Sequence, residues 1–208
     1  PTPYGFGSGI ASGGTKWGSL GFKKINCGAF SSSGVTKSRI APLSNSVLVG
    51  AISSYKLDFA LIRAVAVRRP EWQFVFIGPQ SEGEPSTDLS KLCGLTNVHW
   101  LGPKPYSQLP RFLAAFQCAW LPLQCNAYTR AMFPMKFFEY LFAGLPVVST
   151  RIHALRSFEA ICSLCSPDPL EFSQQLQRVL RGEGSGLEKR LSGIKGYTYA
   201  GRTRRLLK

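Results

Sequence analysis

The chain has 208 residues, enough for one or two domains with a sizeable core, and 44% of them are hydrophobic, which is ordinary for a globular protein. No apolar stretch reaches the ~20 residues of a membrane-spanning helix, and neither an initiator Met nor a secretory signal pattern opens the sequence, so it reads as a domain of a longer protein. With 25 Lys and Arg against 11 Asp and Glu, the net charge of +14 favours anionic partners: phosphates, nucleic acid or an acidic membrane face.

Residues 1–45 are rich in Gly, Ser and Thr, and "PTPYGFGSGIASGGTKWG" reads as flexible linker. Regular alternation follows. "SVLVGAI" predicts a strand whose turn begins at Gly50. "LDFALIRAVAVRRP" predicts an amphipathic helix stopped by Pro70, with Asp58 as its cap. "WQFVFIG" and "VHWLG" predict strands ending in Gly78 and Gly102; His99, inside the second, reads as structural. "SQLPRFLAAFQ" predicts a helix and "CAWLPL" a strand.

The next stretch, "FPMKFFEYLFAGLPVVST", predicts a helix opened by Pro134, closed by Gly144 and Pro146, and followed by a buried strand. Phe137, Phe138, Tyr140, Leu141 and Phe142 leave that helix almost no polar face, so burial all round is expected. Lys136 and Glu139, three apart on it, are either a modest surface pair or ligand-binding charges at a helix start. Beyond it, His153 is as consistent with a surface position as with a site mouth. "PLEFSQQLQRVLRG" predicts a late amphipathic helix. A last basic helical segment is expected after Gly196, ending in "GRTRRLLK".

Strand and helix alternating at this spacing imply βαβ units: an α/β fold with a Rossmann-like parallel sheet flanked by helices. Ligands bind such sheets at the carboxyl ends of their strands. No G-x-G-x-x-G opens a helix and no P-loop lysine follows a glycine run, which excludes a dinucleotide or P-loop site of the usual kind. The six cysteines are scattered, and "CSLC" stands without the second pair or His pair of a zinc site. Their spread is that of a reducing compartment. No ribonucleoprotein strand or zinc finger supports specific nucleic-acid binding.

Three blocks in this order resemble the donor-binding domain of GT-B fold glycosyltransferases of the retaining, glycogen-synthase-like group. They are "RRPEWQFVFIGP", "NVHWLGPKPYSQLPRFLAAFQCAWLPL" and "FPMKFFEYLFAGLPVVST". The resemblance covers about Ser46 to Lys208 and is nearest to bacterial sugar-polymer transferases. It implies a linker or remnant of a further domain over 1–45 and a nucleotide-sugar-binding domain over 46–208. It also implies transfer of a sugar from a nucleotide-diphosphate donor to a glycan or lipid-linked acceptor. The work would be cytoplasmic, with peripheral contact at the inner membrane face.

By the same resemblance Glu139 meets the ribose hydroxyls, while Lys136 and the amides around Pro134 and Met135 hold the diphosphate. Lys56 neutralises the leaving group, Gly50 allows close approach, and the segment containing Gly102, Lys104 and Tyr106 faces the base. No cofactor is implied, and no Asp-x-Asp is present to hold a metal. The sequence departs from the family pattern at two places. Ala131 stands eight residues before Glu139, where many relatives carry an acid, and Ala51 stands where many carry an arginine; Arg130 is the candidate substitute. Two alternatives to an active transferase stay open: a degenerate nucleotide-binding relative without transfer activity, and a basic nucleic-acid-binding protein.

Overall fold

The computed structural model describes residues 23–24, 45–80, 92 and 94–197. The flexible reading of the first 45 residues (Lys23, Lys24 and Asn45 apart), Cys27, Cys93 and the basic tail lie outside the described residues.

The elements are β1 (Lys23–Lys24), β2 (Asn45–Val49), α1 (Phe59–Arg68), β3 (Gln73–Ile77), β4 (Val98–Trp100), α2 (Leu109–Leu113) and β5 (Cys118–Leu121). Then follow α3 (Ala127–Ala131), α4 (Lys136–Phe142), β6 (Val147–Thr150), β7 (Ser163–Cys165), α5 (Pro169–Leu180) and α6 (Leu187–Ile194). They build one sheet in the order β1-β4-β3-β2-β5-β6-β7. All neighbours from β4 to β7 run parallel, as the alternation predicts, and β1 adds antiparallel at the edge.

The chain steps from β2 through β3 to β4, then returns to lay β5 on the free side of β2. Right-handed crossovers therefore put the helices between successive strands on opposite faces of the two halves. The reversal between β2 and β5 is the topological switch point, where the loops of the two halves part and leave a crevice.

The core explains why these strands are nearly unbroken hydrophobic runs. β3 and β5 are covered on both faces, and Trp120 is fully buried against Phe74, Phe76 and Phe172 with ring centroids 4.8, 5.6 and 6.2 Å away. Asp58 caps α1 as predicted, accepting from the Leu61 amide at 2.9 Å. Helix α1 then buries Phe59, Leu61, Ile62, Val65 and Ala66 and stops before Pro70. His99 is structural, its Nε2 lying 2.6 Å from Gln73 Oε1.

Two local expectations need correction. The predicted helix over "SQLPRFLAAFQ" divides into a 3-10 turn, Tyr106–Gln108, and the short α2. Pro110, near the start of α2, lacks the N–H that would carry α-helical bonding across the joint. "CSLC" is strand β7 with the residue before it, and the Cys162 and Cys165 thiols point at the carbonyls of Phe158 and Ser149. Burial pushes both thiols up to about 12, far from reactive thiolates. Phe142 is exposed, so α4 keeps an outer edge. The helical segment expected after Gly196 lies outside the described residues, Tyr197 apart; helix α6 precedes it and is latched by the buried Arg190, whose guanidinium donates to the carbonyls of Gly144, at 2.7 Å, and Ser185. Desolvation lowers the pKa of that guanidinium.

Candidate functional site

Three strands end in glycine along the carboxyl edge, and hydrogen bonds link them. Gly50 N–H donates to the Ile77 carbonyl at 2.8 Å, and Gly78 N–H donates to the Gly102 carbonyl at 3.1 Å. Gly50 and Gly78 have φ of 144° and 152°, a region side chains rarely adopt. Gly78 has a second reason to be glycine. A Cβ there would lie 1.9 Å from the Gly50 carbonyl oxygen. The close approach sets the height of Gly50, and a Cβ on Gly50 would meet Lys136 Cγ at 4.0 Å. The lysine stem thus lies over the end of β2.

Helix α4 delivers that lysine. Phe137 N–H turns back on the Pro134 carbonyl at 2.9 Å and Phe138 N–H on the Met135 carbonyl at 3.2 Å, so the helix opens with a tight turn. Pro134 is buried and needs no partner for a missing N–H. Phe137, Phe138, Tyr140 and Leu141 anchor the helix in the core, Phe137 and Phe138 against Phe158. Only Lys136 and Glu139 carry charge on it. Their side chains meet at 2.7 Å, 31% and 25% exposed. Lys136 Nζ also lies 5.6 Å from the centroid of the exposed Tyr106 ring, which the loop after β4 brings over. Gly50, Tyr106, Lys136 and Glu139, separate in sequence, are therefore together in space.

The loops that follow β2 and β5 lie side by side across the switch point. Asp58 N–H donates to the Pro122 carbonyl and Gln124 N–H to the Lys56 carbonyl, each at 2.9 Å. Lys56 sits in the first of these loops, its Nζ 5.2 Å from the Tyr55 ring centroid. Lys104 lies on the far side, 6.0 Å from the Phe112 ring centroid, and Gly102 turns the chain towards it.

Arg130 lines a cleft that includes none of Gly50, Tyr106, Lys136 and Glu139. The cleft, of ≈ 240 Å³, is lined also by Cys125, Asn126, Thr129, Arg151, His153 and Arg156, between α3 and the 3-10 segment His153–Phe158. His153 thus lies in an exposed cleft wall. Ala131 is exposed at the end of α3.

The spacing of residues 124–129 does not announce what they do. Asn126 caps α3 by accepting from Thr129 N–H at 2.9 Å, and the Thr129 hydroxyl accepts from Asn126 N–H at 3.1 Å. The Asn126 amide donates to the Tyr55 carbonyl at 2.9 Å, and Gln124 donates to the Ser54 carbonyl at 2.6 Å. Thr150, at the end of β6, donates to the Leu123 carbonyl at 2.7 Å and accepts from the Leu123 amide at 3.1 Å. One polar net thus joins the ends of β2, β5 and β6. The only sequence signal for it is an Asn followed three residues later by Thr. Among the described residues no group of three His, Cys, Asp or Glu is placed to hold a metal ion.

Residues 45–182 match the family model described as "Glycosyl transferases group 1". The chain is 31% identical over 139 residues to TuaH of Bacillus subtilis (strain 168), whose name assigns it to teichuronic acid biosynthesis as a glycosyltransferase. That match takes in 65% of this chain and 35% of TuaH. Among solved structures, HepE of Anabaena, in complex with UDP, superposes with a TM-score of 0.60 at 17% identity, over 77% of this chain and 46% of HepE. The lipopolysaccharide outer core galactosyltransferase WaaB does so with a TM-score of 0.55 at 20% identity, over 76% of this chain and 46% of WaaB. The chain spans about a third of the length of the curated relative and under half of these structures. At such identities the superpositions establish the fold, a parallel α/β sheet matching GT-B glycosyltransferase structures.

Proposed function

This chain belongs to the group 1 glycosyl transferases, and on that premise we propose that it is the donor-binding part of an enzyme that moves a sugar from a nucleotide-diphosphate donor to a glycan or lipid-linked acceptor. The nucleotide-sugar-binding unit is residues 46–208 together with the edge strand β1 and Asn45, and the rest of 1–45 is a linker or remnant of a further domain. The observation that carries the reading is the meeting of Lys136, Glu139, Gly50 and Tyr106 at the carboxyl edge beside the switch point.

The chemistry follows from those groups. Transfer breaks the bond between the sugar's anomeric carbon and the diphosphate, and the acceptor oxygen forms the new bond as it loses its proton. Negative charge grows on the departing diphosphate. A fixed ammonium beside it lowers the barrier, because that attraction is strongest when the bond has broken. Lys136 supplies the ammonium at the end of β2, and Lys56 supplies a second from the neighbouring loop. Glu139 accepts hydrogen bonds from the two ribose hydroxyls, a task suited to a carboxylate with two oxygens. Lys136 and Glu139 hold each other at 2.7 Å. A donor replaces one contact with two, diphosphate on the lysine and ribose on the glutamate. Tyr106, Gly102 and Lys104 border the place for the base; Pro134 and Met135 open the turn that presents Lys136. HepE is solved with UDP-glucose as well as UDP, which supports this donor class.

The exposed Ala131 favours one competing reading, a relative that binds the nucleotide without transferring the sugar. Turnover by the enzyme of which this chain is part separates the two. The +14 charge supports work at the acidic inner face of the cytoplasmic membrane, and among the described residues no helix is long and apolar enough to cross it. Flotation with anionic vesicles at low salt tests that placement, and failure to float sinks it. The donor reading is tested by thermal shift against a panel of nucleoside diphosphate sugars. At least one should raise the melting temperature in proportion to the logarithm of its concentration. A panel with no response at millimolar ligand would refute the reading.

A further inference from the structure

The Arg130 cleft has a feature that the donor site lacks: its positive charge is not answered from within. Arg130 comes from α3, Arg151 from the end of β6, and His153 and Arg156 from the 3-10 segment, so three elements converge on it. No acidic side chain lines it. Arg151 is held by Glu159 at 2.6 Å and by the Leu164 carbonyl at 3.1 Å. The guanidinium groups of Arg130 and Arg156 have no hydrogen-bond or ion-pair partner among the described residues. Like charges gathered in one concavity repel each other, and the concavity concentrates the field that an anion would meet.

The floor is stiff. Thr129 and Ile152 are buried beneath the arginines, and the Asn126–Thr129 capping box fixes the start of α3. The polar net through Gln124, Leu123 and Thr150 ties that floor to the ends of β2 and β6. Guanidinium groups on a fixed frame suit a planar or tetrahedral oxyanion, because each presents paired donors that match two oxygens.

We propose that this cleft is a second oxyanion site, distinct from the donor site at Lys136 and Glu139, and that it holds an acidic group of the acceptor. The group is a phosphate if the acceptor is lipid-linked and a carboxylate if it is an acidic glycan. This rests on the reading of the chain as the donor-binding part of a glycosyltransferase. It adds the acceptor's chemistry: the acceptor is anionic, and this part of the chain holds it beside the donor.

The test uses the 208-residue chain and three probes followed by calorimetry: inorganic phosphate, glucuronate as a carboxylate-bearing sugar, and UDP. Arg130 and Arg156 are exposed, so R130Q/R156Q should melt as wild type does. That variant should lose affinity for phosphate or glucuronate by about ten-fold or more, while UDP binds unchanged. K136M should do the reverse. Whichever of phosphate and glucuronate shows the loss identifies the acidic group. The proposal is overturned if neither probe's affinity depends on the two arginines. It is also overturned if R130Q/R156Q weakens UDP as much as K136M does, since the cleft would then be part of the donor site. If UDP does not bind wild type at all, the donor reading fails, and the phosphate and glucuronate measurements still decide whether the cleft is an anion site.

Discussion

The two basic regions of the carboxyl edge differ in how their charge is answered. At the end of β2, Lys136 brings its own counter-charge one turn along the same helix, and an aromatic ring closes over it. In the cleft between α3 and the 3-10 segment, Arg130 and Arg156 have no acid among the residues that line it with them. Their frames differ as well. The first is seated on glycine backbone, the second on a net of neutral side chains. A self-paired lysine can hold its geometry before a ligand arrives, and the ligand then competes with Glu139. Arg130 and Arg156 meet a ligand without that competition, but these two side chains must be ordered by the ligand itself.

The broadest way to probe this difference is to disturb the sheet under both regions. Burial raises the thiols of Cys118, Cys162 and Cys165 from 9.0 to about 12 in the folded chain. Above pH 9 the unfolded chain loses these protons while the folded chain keeps them, so proton release favours unfolding. The stabilising effect of burying neutral thiols is thus complete below pH 9 and is lost between 9 and 12. Urea unfolding at pH 8, 9, 10 and 11 should show stability falling over the last steps. The fall should be shallower when the three cysteines are replaced by alanine, and an equal fall would clear the thiols of any role. Both regions should come apart together.

Gly78→Ala should act on the first region alone. The added carbon collides with the Gly50 carbonyl, and the backbone conformation is strained besides. A loss of about 3 kcal/mol is expected on denaturant unfolding. If the chain still folds, UDP affinity should drop while phosphate affinity at the Arg130 cleft survives. A fully stable Gly78→Ala protein would mean that the close contact is not what positions Gly50.

Glu139→Gln keeps the shape and removes the charged acceptor. Donor affinity should fall by about ten-fold or more, corresponding to ~1.5–3 kcal/mol for a charge-assisted bond, with folding nearly unchanged. Unchanged nucleoside diphosphate affinity in both Glu139→Gln and Lys136→Met, measured by calorimetry, would make the pair merely structural.

Asn126→Ala removes the cap of α3 and the tie to Tyr55. About 1–2 kcal/mol of stability should go with it. The damage should be local to the second region, seen as faster hydrogen exchange in residues 123–131 rather than in α4. Equal acceleration in α4 would show that the two frames are one.

Smallest of all is the contribution of the Lys136–Glu139 bond to folding. A pair three apart on a partly exposed helix face is worth at most about 0.5 kcal/mol. A double-mutant cycle on thermal stability should give no more. A coupling several times larger would show that the pair holds the fold together and is not poised for a ligand.

The sequence discloses these regions unequally. The strands β2 to β6 and helices α1, α4 and α5 announce themselves because their apolar residues repeat with the period of the element that buries them. Lys136 and Glu139 stand out for the same reason: charge is conspicuous in an apolar helix. Strand β7 is three residues long, too short for its apolar residues to show a period, and Cys165 packs in it as a small hydrophobe. Helix α3 has five residues and owes its place to a capping box and tertiary bonds, which periodicity does not register. Helix α6 turns Arg190 inward, so its buried face carries a charge where the pattern calls for an aliphatic residue. The second basic region is harder still to see. Its residues come from a short helix, a strand end and a 3-10 segment, and only the fold makes neighbours of them.

The glycines that end β2, β3 and β4 also bear on how this edge will respond to mutagenesis. Where three adjacent strands finish without side chains, a bound molecule rests on peptide groups. Alanine scanning, which reads function by trimming side chains, is blind there: it can only add an atom, and at Gly78 the addition breaks the seat itself. Contacts made by that part of the edge will leave no trace in a catalogue of side-chain knockouts. They would have to be mapped from the ligand's side, by deleting its hydroxyls and carbonyls one at a time.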